Sequence, residues 1–165
     1  MRTAHKIGLL VIVIVVLLLA LLLPRSGHAD QSMVFGNIVV RYSAISTDQL
    51  FGDSARRYGI ERSPRNGLVN IAVERKDSGE LIAATVSGSV ADLTGRGKPI
   101  RFRETREEGA IDYLGEFPID ASGTYLFTIN VTPGANPAAA DGRQQPTDKG
   151  ARPYTVKFNR DYVLD

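Results

Sequence analysis

The chain has 165 residues, with 20 Lys plus Arg against 18 Asp plus Glu, two histidines and no cysteine. Arg2, Lys6 and Arg25 precede Asp30 and no acid does, which leaves 17 basic against 18 acidic residues from Asp30 onward, a net charge of −1. That balance excludes a nucleic-acid binder, which needs a concentrated basic footprint. His5 and His28 also precede Asp30, so the remainder lacks imidazole and thiolate and with them Ser-His-Asp or Cys-His catalysis and ordinary zinc, copper or haem ligation.

The first 29 residues read as a signal peptide. Arg2, His5 and Lys6 form a basic start, Ile7 to Leu23 is an unbroken apolar run of 17 residues, and Pro24 breaks it. Gly27-His28-Ala29 then sets small residues at the positions a signal peptidase reads. The run is longer than the usual h-region of about 7 to 15 residues and reaches the lower limit of about 17 for a spanning helix. An uncleaved N-terminal anchor is therefore the alternative. In both readings the remainder crosses the membrane, and contact with the bilayer is confined to the N-terminal segment. Residues 30–165 are then one domain of 136 residues, long enough to bury about two-thirds of its unfolded surface without a disulfide.

From Met33 onward the apolar residues recur with period two, the signature of strands buried on one face. The first strand opens with Val34-Phe35 and carries Ile38, Val40 and Tyr42 inward. A short helix follows at 53–58, stopped by Gly59 as a left-handed cap. The second strand places Val69, Ile71 and Val73 inward, and the third, from Leu81 to Leu93, alternates through Val86 and Val90. The fourth turns Ile100 and Phe102 in and Arg101 and Arg103 out. Ile111, Tyr113 and Phe117 mark the fifth, Tyr125, Phe127, Ile129 and Val131 the sixth, and Tyr154, Val156 and Phe158 the seventh. Gly-rich polar turns separate them at 77–79, 94–99, 106–109 and 120–123. The pattern predicts an all-β, seven-stranded antiparallel immunoglobulin-like sandwich with one short helix between strands 1 and 2.

The stretch Asp120-Ala121-Ser122-Gly123-Thr124-Tyr125 fits the corner of such a sandwich, where a Tyr pins the turn two residues before a Cys. Here Phe127 stands in the Cys position. The expectation is that Phe127 packs on Ile71 or Val69 across the sandwich and fills the space a disulfide would span. Between the last two strands, residues 133–152 form a long Pro-, Ala- and Gly-rich stretch that cannot build a core and reads as a mobile loop.

The motifs that hint at chemistry do not complete one. Gly97-Lys98 resembles the end of a phosphate loop, but Pro99 stands where Ser or Thr is needed. Asn130-Val131-Thr132 matches a glycosylation acceptor inside a strand, and Arg103 to Gly109 is a charge cluster of the kind a solvated hairpin carries. Met33 alone cannot hold copper. Asp112, Glu116 and Asp120 lie on or beside one strand; a carboxylate pair could serve a glycosidase or calcium, but outward acids are also what any half-exposed strand shows. No catalytic, cofactor-binding or metal-binding residue is therefore assigned. The candidate recognition surface is Tyr58, Arg62, Ser63 and Asn70, because Tyr and Arg anchor interfaces and the segment is irregular. The structural reading of the same residues has Tyr58 packing the helix on the sheet and Arg62 pairing with an acid such as Glu104.

Tyr58 to Ser63, Gly67 to Val73, Ala91 to Gly95, Ile100 to Glu107 and Ala110 to Ile119 resemble the bacterial family called domain of unknown function 4426. The resemblance spans most of Met33 to Asp165 except the long loop. It implies an exported Gram-negative protein with one sandwich domain, and it supplies no catalytic residue. Together the residues and the resemblance lead to the expectation of a periplasmic, non-enzymatic module that binds a protein or cell-envelope component. A small-ligand carrier and a carboxylate-based enzyme are the alternatives, to be separated by an apolar cavity between the sheets or by converging buried acids.

Overall fold

The computed structural model describes residues 31–107, 109–134 and 153–164; the segment read as a signal peptide and residues 135–152 of the expected loop lie outside them, while Pro133, read as the loop's start, ends a strand. Within them nine strands run in the order β1 (Gln31–Phe35), β2 (Ile38–Ser46), β3 (Asn66–Arg75), β4 (Ala84–Asp92), β5 (Gly97–Ile100), β6 (Phe102–Glu107), β7 (Ala110–Pro118), β8 (Gly123–Pro133) and β9 (Tyr154–Tyr162). A 3-10 turn at Thr47–Gln49 and helix α1 (Gly52–Tyr58) lie between β2 and β3. All pairings are antiparallel and form two sheets, β1-β2-β3-β7-β6 and β5-β4-β8-β9. Apart from β1, this is the immunoglobulin order, A-B-E-D against C′-C-F-G.

Nine strands replace the seven expected because two predicted strands divide. The first breaks at Gly36, whose φ of 58° turns the chain back on itself, so that β1 and β2 form a hairpin. The fourth divides at Arg101: β5 pairs with β4 in one sheet, and β6 pairs with β7 in the other. Residues 97–99, read as part of a turn, thus belong to an edge strand. The crossover folds over Gly115, where an added Cβ would lie 2.4 Å from Ile100 and 2.9 Å from Phe102. The helix forms where expected, and Gly59 caps it at φ 63° while its N–H bonds back to Arg56.

The core lies between the sheets. Val40, Val69, Ile71, Val73, Ile129, Val131 and Val156 are fully buried there. Phe127 shares this cluster with Val69 and Ile71. Its aromatic contacts are with Phe117 of β7, edge-on at 5.1 Å, and with Phe158 of β9, stacked at 4.7 Å. The position of the missing cysteine is thus occupied by an aromatic cluster that reaches both sheets. Tyr113 adds a polar tie: its hydroxyl accepts the Ala84 N–H at 2.7 Å and donates to Glu104 at 2.9 Å.

Tyr125 makes the corner that the sequence anticipates. Its hydroxyl accepts the N–H groups of Asp120 (2.9 Å) and Ala121 (3.2 Å) and donates to the Ala121 carbonyl (3.1 Å). Tyr125→Phe would leave those backbone groups without partners, and it is expected to cost about 1–3 kcal/mol. Urea unfolding of both proteins checks this; an unchanged midpoint would show that water replaces the hydroxyl without loss.

The two outer faces differ in charge. On the β1–β6 sheet, Arg41, Glu74, Arg103, Asp112 and Glu116 occupy outward positions. Helix α1 and the chain after it cover part of this face, where Ile60, Leu68 and Leu114 form a second apolar cluster joined by Ile45, Leu50 and Tyr58. On the other sheet, β4 turns out Thr85, Ser87, Ser89 and Ala91. Opposite them, β8 turns out Thr124, Leu126, Thr128, Asn130 and Thr132. None of these is charged; Lys157 and Asp161 of β9 supply the charges at that edge.

Candidate functional site

The four residues of the anticipated recognition surface separate into two places. Tyr58, at the end of α1, packs half-buried beside the second apolar cluster and donates its hydroxyl to Glu107 at 3.0 Å. That bond to a carboxylate, with partial burial, raises the Tyr58 phenol above its usual range. Asn70 sits outward on β3 and donates to Asp112 at 3.1 Å. Its Oδ1 and the Tyr162 hydroxyl are buried side-chain atoms without a hydrogen-bond partner among the described residues. Burial pushes the Tyr162 phenol well up.

Arg62 and Ser63 lie instead beside the 3-10 turn. Arg62 donates to the Asp48 carbonyl at 2.5 Å, and the Ser63 N–H bonds the buried Thr47 hydroxyl at 2.9 Å. Thr47 in turn donates to the Glu61 and Ser63 carbonyls. Arg62 is thus held by a backbone carbonyl and not by Glu104, which takes Arg106 and Tyr113. These bonds fasten the segment to the sandwich. Arg62→Ala, removing one exposed contact, is expected to cost less than about 1 kcal/mol. Tyr58→Ala, removing a half-buried ring and its bond to Glu107, should cost more, roughly 1–3 kcal/mol. Thermal melts of both variants check the order, and a larger loss for Arg62→Ala would reverse it.

The carboxylates do not converge. Asp112 accepts Asn70, Glu116 accepts Asn66 at 2.8 Å, and Asp120 pairs with Lys98 at 2.6 Å. Among the described residues, no group of three His, Cys, Asp or Glu side chains is placed to hold a metal ion. Among the described residues, the two acids with displaced proton affinity, Asp92 and Glu104, are both held below the usual carboxylate range. The Thr94 hydroxyl is the main cause for Asp92, and Arg106 followed by Tyr113 for Glu104. Glu104 is exposed and Asp92 half-exposed. A general acid needs the opposite displacement, caused by burial.

A cleft of about 520 Å³ lies at the end of the sandwich where β4 and β7 finish and β8 starts. One wall is the β4–β5 turn. There Asp92 accepts the Thr94 N–H and hydroxyl and the Arg96 N–H, and pairs with the Arg96 guanidinium at 3.5 Å. The other wall is the tyrosine corner, with Asp120, Ser122 and Thr124. Val90, Leu93, Pro118 and Tyr125 contribute the apolar lining, and the Lys98–Asp120 ion pair bridges the walls. The cleft joins segments that nothing in the sequence marks as one site. Its only advance signal was the Tyr125 corner.

The comparisons with known proteins bear on the fold. A family model described as a domain of unknown function, DUF4426, matches residues 32–143. The chain belongs to this family. A DUF4426 family protein of Pseudomonas aeruginosa PAO1 has a similar structure, with 32% sequence identity and a TM-score of 0.65 over 84% of this chain and 98% of that one. FetP of uropathogenic Escherichia coli strain F11 is 16% identical, with a TM-score of 0.55 over 83% of this chain and 96% of its own. A copper-bound variant of Campylobacter jejuni P19 is 11% identical, with a TM-score of 0.52 over 81% and 94%. The last two likenesses concern the fold alone. No curated protein matches the chain. Among the described residues, no helix is long and apolar enough to cross a membrane.

Proposed function

We propose that this DUF4426 protein is a periplasmic, non-catalytic binding module that holds a protein or cell-envelope component in the cleft between the β4–β5 turn and the tyrosine corner. The observation that carries the reading is the cleft's make-up: about 520 Å³, two ion pairs, several hydroxyls and an apolar lining at one end of a sandwich whose core is filled. Its volume lies within the range of about 300–1,000 Å³ common for binding sites. The mixture of both charge signs with backbone at the corner favours a polar chain segment, such as a peptide, over an apolar small molecule. The carrier alternative has less support, because the space between the sheets is packed with side chains. The enzyme alternative has less support, because among the described residues no acid is raised by burial. Export is supported by the apolar run at residues 7–23 with its small-residue exit at 27–29.

The test is comparative capture from envelope extract. Lys98→Glu and Thr94→Arg should abolish capture, whereas Arg62→Ala should keep it. Retention by both cleft variants, with loss in Arg62→Ala, would move the site to the Tyr58 segment.

Copper does not carry over from the P19 variant on donor chemistry. Past residue 29 the sequence has no His or Cys and one Met, Met33. Copper sites are built from imidazole, thiolate or thioether groups acting together. Neither cupric salt nor EDTA is expected to shift the melting temperature of the purified protein. A rise of several degrees with copper, or a fall of that size with EDTA, would contradict this.

A further inference from the structure

We infer that the outer face of the β5-β4-β8-β9 sheet docks a second copy of this chain, sheet against sheet about a two-fold axis. Three of the five large hydrophobic residues exposed among those described belong to it: Leu126 at 44%, Leu93 at 71% and Val163 at 80%. Leu126 is outward at the centre of β8, level with Ala91 and Asn159. Leu93 and Val163 continue the outward alternation just past the ends of β4 and β9. Between them lie the small uncharged outward side chains of β4 and β8. In a chain of which 23% of residues are charged, a whole sheet face with charges on one edge strand alone is the surface least costly to remove from water.

The charges on that edge say what covers the face. Lys157 and Asp161 both point outward from β9, two positions to either side of Asn159. A two-fold axis lying in the interface along the row Ala91, Leu126, Asn159 reverses the strands of the second copy. It sets Lys157 of each copy over Asp161 of the other, and Leu126 over its own equivalent. Lys157 has no ion-pair partner among the described residues, and Asp161 accepts only the Thr124 hydroxyl at 2.6 Å. A face with one cation and one anion placed symmetrically about its apolar centre complements itself, as an isologous contact must. Five rows of outward residues on three to four strands cover on the order of 500 Å² per copy. The total of about 1,000 Å² is at the lower limit for a specific interface; area alone does not fix affinity, and the dimer is expected to be weak, with a dissociation constant on the order of 10–100 µM. Leu93 and Thr124 also line the cleft, but Leu126, Lys157, Asp161 and Val163, which carry the inference, lie outside it.

Sedimentation equilibrium of the purified protein across a concentration series tests it. The wild type should move from monomer to dimer within that range. Leu126→Arg and Lys157→Asp should each raise the dissociation constant at least about tenfold, a change of 1.4 kcal/mol. Combining Lys157→Asp with Asp161→Lys should bring it back near the wild-type value. Melting curves show that the variants fold, and the two β9 variants keep the test sound if Leu126→Arg does not. A wild type that stays monomeric at about 1 mM, tenfold above the weakest affinity expected, would overturn the proposal. So would a double variant that associates no more tightly than Lys157→Asp alone.

Discussion

Replacing Phe127 with alanine is expected to remove about 3–5 kcal/mol of folding stability, the largest loss of any single truncation considered. Phe127 is 1% exposed, and its ring is clamped between Phe117 and Phe158. Phe158 stacks in turn on Tyr42 of the opposite sheet at 4.6 Å. Truncation opens a cavity that rigid strands on both sides cannot close, so the cavity cost adds to the lost transfer energy. A native disulfide in this position would contribute about 2–4 kcal/mol by restricting the unfolded chain. Phe127 supplies a similar amount through packing in the folded state. Chemical unfolding of Phe127→Ala gives the number directly, and an unchanged midpoint would show that the aromatic cluster is not what replaces the cystine.

The second large effect comes from adding one carbon. A Cβ on Gly67 would lie 2.1 Å from Phe117 Cζ, so the ring and β3 cannot keep their places. Phe117 has little room to retreat. It is 2% exposed and hemmed in by Phe127, Tyr162 at 5.8 Å and Tyr125 at 6.4 Å. Gly67→Ala is therefore expected to cost about 3 kcal/mol, the upper part of the range for overpacking. Combining it with Phe117→Leu should recover at least about 1 kcal/mol relative to the sum of the two single changes, because the residues are in contact. Additive losses would mean that the strain lies elsewhere.

Much of this fold is legible in the sequence, since half-buried strands write their burial into every second residue. Ile71, Phe117, Phe127 and Val156 all point inward as their alternation requires. Helix α1 and its Gly59 cap are legible because both are local. The two strand divisions are less so. At Gly36-Asn37 a two-residue hairpin signal stands inside an otherwise apolar run and is easily read through as one strand. At Arg101 the chain changes sheets while Ile100 and Phe102 keep their inward alternation, and only the partners, β4 for one and β7 for the other, reveal the crossing. The recognition set drawn from residue type fares differently again. Tyr58 and Arg62 are interface-forming types, yet here their polar atoms meet Glu107 and the Asp48 carbonyl. Those partners are 49 and 14 residues away, set by strand register and loop path. The cleft stayed hidden for the same reason: its walls come together only when β4 pairs with β8.

The proposed recognition site lies at the corner end of a filled sandwich. Backbone amide shifts of isotope-labelled protein, followed during titration with fractionated envelope material, test it most directly. The shifts are expected to gather at Asp92 to Lys98 and at Asp120 to Tyr125, with little movement at Tyr58, Arg62, Ser63 and Asn70. Shifts concentrated on those four residues, with the cleft unmoved, would contradict it.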